Sequence, residues 1–93
     1  MKRTLLRSPA FIRAAKKLLR KNPQFEDDLR SALLLLANDA YDPFLRTHKL
    51  TGVLKGSWAC SAGYDLRIIF CFVKNEGREA ILLETTGTHD EVY

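Results

Sequence analysis

Apolar residues recur at helical spacing in two neighbouring stretches of the N-terminal half. The first stretch begins after Ser8 and Pro9, an N-cap residue followed by a proline suited to the first helical position. The second begins after Asn22-Pro23 and ends in the segment NDAYDP, residues 38–43. The apolar positions that share one side are Phe11, Ile12, Ala15, Leu18 and Leu19 in the first, and Phe25, Leu29, Ala32, Leu33 and Leu36 in the second. Together they predict an antiparallel helical hairpin.

The remaining apolar pattern is typical of strands. RTLLR at 3–7 predicts an opening strand, and a shorter strand is expected near Leu54–Cys60. DLRIIFCFV at 65–73 is apolar on both faces and predicts a central strand, and EAILLETT returns after the turn KNEG. Residues 44–56 form a polar, glycine-punctuated connection, which is either a loop or a loose strand edge. The order β-α-α-β-β-β predicts an α+β fold: a mostly antiparallel sheet with the helical hairpin packed on one face.

Composition and charge indicate where in the cell the protein acts and what kind of partner it attracts. Ninety-three residues, 46% of them hydrophobic and 28% charged, suit one globular domain over 1–93. Because no apolar run could span a bilayer and no secretory signal is evident, we expect a cytoplasmic protein without membrane contact. The basic residues that precede the first acid, Glu26, predict attraction to a polyanion, although a solvated helix face would look the same. They are Lys2, Arg3, Arg7, Arg13, Lys16, Lys17, Arg20 and Lys21.

Familiar catalytic signatures are missing from the sequence. It contains no phosphate-binding glycine loop, no HExxH and no GxSxG. Its two cysteines, Cys60 and Cys71, are too few for a disulfide scaffold or a four-ligand zinc site, and we interpret them as buried free thiols. We therefore expect neither a metal nor a cofactor.

A scattered polar set is left as candidate chemistry. Asp65 and Arg67 open the central strand, and the start of one strand in a meander lies beside the end of the next. They should therefore approach the segment TTGTH, a polar stretch at the end of the last strand that precedes Tyr93. With His48 from the connection and His89, this set could cleave RNA without a metal. Histidine can act as base and acid because its ordinary pKa is about 6.5, and arginine can stabilise a phosphorane.

Each of these residues also has a structural interpretation. A histidine near a strand end is more often a surface residue than a catalyst, and Arg67 could pair with Asp65 or Glu84. Asp65 could simply be a turn residue, and Tyr93 an aromatic at the edge of the core. Spacing alone does not decide between these alternatives.

Three segments in this order carry a family resemblance: HKLTGVLKGSW, GYDLRIIF and TTGTHDEVY. They resemble the RelE/ParE superfamily of bacterial type II toxins, especially its YafQ-like branch. The resemblance covers nearly the whole chain and implies a RelE-like fold. It also implies a ribosome-dependent mRNA endonuclease, an mRNA interferase, that is held inactive by a cognate antitoxin.

The resemblance also assigns roles. It implies catalytic roles for His48, Asp65, His89 and Tyr93, and places Arg67 where RelE-like members carry a catalytic arginine. YafQ-like members have a further histidine where this chain has Ser61, which puts the identity of the general base in doubt. The residues expected to contact RNA are Arg46, Lys49, Lys55 and Ser61.

The implied partners are the antitoxin, mRNA in the ribosomal A site, ribosomal RNA and, only through the antitoxin, operator DNA. Two other functions fit the same fold, because function depends on the site. One is a ParE-like inhibitor of DNA gyrase that acts by protein binding without nuclease chemistry. The other is a degenerate chain that only binds an antitoxin and operator DNA.

Overall fold

A computed structural model describes residues 2–93, and its helices and strands follow the expected order. The strands are β1 (Thr4–Arg7), β2 (His48–Lys49), β3 (Trp58–Ala62), β4 (Leu66–Asn75) and β5 (Arg78–Thr88). The helices are α1 (Pro9–Lys21), α2 (Glu26–Asn38) and the single turn α3 (His89–Val92). Short 3-10 turns occupy Pro23–Phe25, Pro43–Leu45 and Gly52–Leu54.

The five strands form one sheet in the order β1-β5-β4-β3-β2. Only β1 and β5 pair in parallel, and the other neighbours are antiparallel, so the predicted α+β class is confirmed. β4 is the central strand, as expected. Glu76 and Gly77, both at positive φ, form the two-residue turn between β4 and β5.

The helical hairpin packs on one face of the sheet. Ser8 caps α1 by accepting a 3.0 Å hydrogen bond from the Phe11 amide, as its sequence position predicts. The buried core between the layers includes Phe11, Leu18, Leu29 and Leu36 from the helices and Cys60, Leu66, Ile68, Phe70, Ile81 and Leu83 from the strands. Because side chains alternate along a strand, Arg67 leaves β4 on the face opposite Leu66 and Ile68.

The structure corrects two boundaries and adds one element. The strand expected near Leu54–Cys60 is β3, Trp58–Ala62, because residues 52–54 form a 3-10 turn after Gly52 at φ 69°. The last strand, expected as EAILLETT at 79–86, continues through Gly87 and Thr88, where pairing with β4 offsets the low strand propensity of Gly87. The added element is α3, which starts at His89.

Within residues 2–93, none of the helices is long and apolar enough to cross a membrane.

Candidate active site

An open cleft of about 830 Å³ lies at the end of the sheet where β4 begins and β5 ends. Its walls come from the N-terminal part of α2, the 3-10 turn Pro43–Leu45, the β3–β4 turn and the start of α3. Five of the nine predicted site residues line it: Arg46, Ser61, Asp65, Arg67 and His89. The expectation that Asp65 and Arg67 approach the segment TTGTH therefore agrees with the structure.

Sheet register explains this convergence. Arg67 pairs with Ser61 on β3 and with Gly87 on β5, so three strands meet at its position. The Thr86 hydroxyl donates a 2.8 Å hydrogen bond to the Arg67 carbonyl, and the His89 amide donates a 3.0 Å bond to the Asp65 carbonyl. These bonds fix the backbone of the cleft on both strands.

The Arg67 guanidinium is held by backbone carbonyls. Its Nη1 donates to the carbonyl oxygens of Tyr64 at 3.1 Å and Leu66 at 2.8 Å. Among residues 2–93, no carboxylate lies within 4.0 Å of it, and Glu84 instead accepts a 2.7 Å bond from the Ser57 hydroxyl. The structural alternative, an ion pair with Asp65 or Glu84, is therefore not formed, and the positive charge of Arg67 is available to an anion.

The rings of His89, the first residue of α3, and Tyr93, the residue after α3, lie side by side. Their ring centroids lie 4.8 Å apart in an edge-to-face arrangement, and His89 Nδ1 lies 3.5 Å from Oδ1 of Asp90. Burial raises the pKa of the Tyr93 phenol, and the nearby Arg67 guanidinium opposes this shift. Tyr93 therefore keeps its proton at neutral pH, and its hydroxyl is able to donate a hydrogen bond.

α3 is anchored by a capping box that sequence reasoning missed. The Glu91 carboxylate accepts hydrogen bonds from the Thr88 amide at 2.9 Å and the Thr88 hydroxyl at 3.1 Å. These bonds are the main cause of a lowered pKa of Glu91, with smaller contributions from Lys17 and Lys21. The spacing Thr88-x-x-Glu91 is a readable signal for such a box.

Four predicted residues do not line the cleft: Tyr93, whose ring lies beside that of His89, and His48, Lys49 and Lys55. His48 and Lys49 form the edge strand β2, where they pair with Ala59 and Trp58. His48 Nδ1 lies 2.9 Å from the carbonyl oxygen of Arg46, and Lys49 Nζ lies 5.5 Å from the centre of the Trp58 ring. His48 is thus two residues from the cleft-lining Arg46 but has its own position on the sheet edge.

The cleft also contains groups that were not predicted. The carboxylates of Asp28 and Asp90 line it beside the predicted Asp65 and the cations, so its charge is mixed. Two aromatic residues, Phe44 and Tyr64, line it as well. Only their positions in turn segments, DPF and GYD, hint at exposure in the sequence.

Several solved structures that match this architecture are bacterial toxins. YafQ from E. coli superposes with a TM-score of 0.78 at 21% identity, and the alignment covers 99% of each chain. The chain has the RelE-like fold. A copper-bound L66S mutant toxin from Helicobacter pylori matches with a TM-score of 0.74 at 26% identity over the full length of both chains. YoeB from Staphylococcus aureus, solved as a dimer, matches with a TM-score of 0.70 at 13% identity, and the alignment covers 96% of this chain and 99% of YoeB.

These structural neighbours confirm the resemblance to YafQ-like toxins at the level of the fold. A scan of family models and a search of curated proteins found no match. The cleft described above brings polar and titratable side chains together at the start of the central strand, β4. It is therefore the candidate active site.

Proposed function

We propose that this protein is the toxin of a type II toxin–antitoxin system and that it cleaves mRNA on the ribosome without a metal ion. The observation that carries the proposal is the Arg67 guanidinium, which lies in a cleft with His89 and has no carboxylate partner among the described residues. The likeness of the fold to YafQ, which has been solved in a DinJ-YafQ toxin-antitoxin complex, supports the class.

The proposed reaction is an in-line transesterification. A base removes the proton of a 2′-hydroxyl, and the 2′-oxygen attacks the adjacent phosphorus. An acid then protonates the departing 5′-oxygen, which leaves a cyclic phosphate and a 5′-hydroxyl. Negative charge builds up on the phosphorane, and a positioned guanidinium stabilises it best because its N–H groups match the phosphate oxygens.

The cleft supplies groups for one proton transfer and for stabilisation of the phosphorane. His89 takes one of the two proton transfers, and the Arg67 guanidinium binds the phosphorane oxygens. Ser61 pairs with Arg67 across the strands and is available as a hydroxyl donor to the same phosphate. Asp65 holds the backbone of His89 through its carbonyl, and the Tyr93 ring supports the imidazole.

We assign the second proton transfer to His48. Because His48 lies on β2 and outside the cleft, this assignment requires a particular path of the bound RNA. The bound RNA must extend from the cleft past Arg46 to the edge of the sheet. Lys49 and Lys55 belong to the same stretch of chain and would contact the RNA backbone there. Substitution of His48 consequently tests the path of the RNA as well as the chemistry.

The exposed basic face of α1 is the surface that we expect ribosomal RNA or the antitoxin to bind. It consists of Arg13, Lys16, Lys17, Arg20 and Lys21, and all five are exposed. Phosphates of ribosomal RNA, or an acidic segment of the antitoxin, would bind such a surface in a salt-dependent manner. Operator DNA would be reached only through the antitoxin.

Expression of the protein followed by mapping of mRNA 5′ ends tests the proposal. The wild type should arrest growth and produce breaks in phase with codons, and His89→Ala should abolish both while keeping the native circular dichroism spectrum. Arg78→Ala, at the exposed β4–β5 turn, is the matched control and should remain toxic. Intact mRNA with an SOS response would instead identify a gyrase inhibitor, and intact mRNA without growth arrest a chain that only binds antitoxin. A fully toxic His89→Ala variant would rule out the assigned site.

A further inference from the structure

Two aromatic side chains of the cleft are left unexplained by the core. Phe44 is 86% exposed and Tyr64 is 97% exposed, and both line the cleft that contains Arg67 and His89. Single exposed apolar residues are common on protein surfaces and need no special role. These two differ because they come from separate segments of the chain and border the same charged cleft.

Phe44 projects from a backbone that is firmly held. The Asp42 carboxylate accepts a 2.9 Å hydrogen bond from the Phe44 amide, and Pro43 fixes the first position of the 3-10 turn. Leu45, only 1% exposed, anchors the next residue in the core, and Arg46 at φ 51° then reverses the chain. The backbone of Phe44 is thus held in place, so that only the side-chain torsions of its ring remain to be ordered when it binds a ligand.

Tyr64 is connected directly to the candidate phosphate-binding group. Its carbonyl oxygen accepts the 3.1 Å hydrogen bond from Arg67 Nη1, while its ring faces solvent. The preceding Gly63, at φ 70°, makes the turn that presents this ring. The Tyr64 backbone and the Arg67 guanidinium are therefore parts of one hydrogen-bonded unit.

We infer that Phe44 and Tyr64 stack on unpaired bases of single-stranded RNA on either side of the phosphate bound by Arg67. The inference rests on the proposed function and deepens it by naming base-contacting residues. Aromatic faces beside a guanidinium with no carboxylate partner are the combination by which proteins bind single-stranded RNA. The carboxylates of Asp28 and Asp65 disfavour additional phosphates in the cleft, which leaves its aromatic side for bases.

Binding of an uncleavable oligonucleotide tests the inference. The probe is a fluorescein-labelled hexaribonucleotide with 2′-O-methyl sugars, and fluorescence anisotropy reports its affinity. Phe44→Leu and Tyr64→Leu should each weaken binding about tenfold, and Tyr64→Trp should retain it, since stacking needs a ring and not a hydroxyl. Leu34→Ala and Val53→Ala remove exposed apolar area outside the cleft and should leave affinity unchanged.

A second probe separates stacking from changes in the fold. Replacing one base of the hexamer by an abasic site should weaken binding to the wild type. If that base stacks on Phe44 or Tyr64, the Leu variant of the same residue should bind the abasic hexamer almost as well as the wild type does. A 2-aminopurine at that position should be quenched by the wild type and not by the Leu variant. Additive losses with unchanged quenching would overturn the inference.

Failure of the inference can be told from failure of the proposed function. If the wild type cleaves mRNA on ribosomes and both Leu variants cleave and bind the hexamer equally well, the stacking role is wrong and the nuclease function stands. If both variants lose toxicity but bind the hexamer normally, the aromatic pair contacts a protein and the inference is overturned. If the wild type neither binds the hexamer nor cleaves mRNA, both the stacking role and the nuclease function are wrong.

Discussion

Replacement of Arg67 is the sharpest test of the site. A guanidinium has five N–H groups, and the two on Nη1 are used by the carbonyls of Tyr64 and Leu66. The remaining edge, Nε and Nη2, is the bidentate fork that matches two phosphate oxygens. Arg67→Lys retains a positive charge but lacks this fork, and Arg67→Ala removes both the charge and the fork.

The expected magnitude follows from this geometry. Loss of one preorganised donor to a developing negative charge costs about 100- to 1,000-fold in rate, roughly 3–4 kcal/mol. Arg67→Ala should fall in or beyond this range, and Arg67→Lys should lie between it and the wild type. Single-turnover cleavage of a programmed ribosome complex, followed on a gel, measures the rate of the chemical step.

The fold should tolerate both substitutions, because Arg67 lies on the sheet face opposite the main core and makes no ion pair within residues 2–93. The melting temperature should therefore change little, and Arg30→Ala, which breaks the exposed 2.6 Å pair with Glu26, is the matched arginine control. A folded Arg67→Ala variant that cleaves within threefold of the wild type would refute the proposed phosphate-binding role.

Three further predictions address the frame of the site. The lowered pKa of Glu91 means that its stabilisation of α3 is present above the ordinary glutamate pKa and is lost as pH falls through the folded value, so Glu91→Gln should flatten the acid limb of thermal melts. Burial raises the pKa of Cys60 to about 12 and so removes its reactive thiolate, whereas Cys71 is only partly buried. Iodoacetamide should therefore modify Cys71 first in the native protein, and peptide mapping that finds Cys60 modified first would contradict this. Gly63→Ala should lower both the melting temperature and the cleavage rate, because φ is 70° and a Cβ atom would lie 2.5 Å from the Asp28 carboxylate; an unchanged melt would contradict this.

The order of elements could be predicted because its signals are local. Ser8 and Pro9 start α1 as expected, and the run at 66–70, which is apolar on both faces, gives the central strand. The approach of Arg67 to the segment TTGTH followed from the pairing of consecutive antiparallel strands. Each of these inferences needs only near neighbours in the sequence or one hairpin.

The features that sequence reasoning missed depend on contacts between distant segments. β2 has only two residues and exists because it pairs with β3, so the position of His48 on the sheet edge has no local signal. Phe44 and Tyr64 reach one cleft only after α2 and the β3–β4 turn have packed together. The capping box of Thr88 and Glu91 is the exception, since its spacing was readable in the sequence.

One irregularity of the sheet links the fold to the chemistry. Phe70 pairs with Leu83 but Ile69 pairs with Thr85, so Glu84 is the extra residue of a β-bulge. Without it, the register would place Thr86 opposite Arg67. With it, Gly87 lies opposite Arg67 and adds no side chain at that position, and a Cβ there would come within 3.2–3.3 Å of atoms of α3. The bulge thus lets α3 pack close to the end of β5, which keeps His89 and Tyr93 near the guanidinium that the proposed reaction requires.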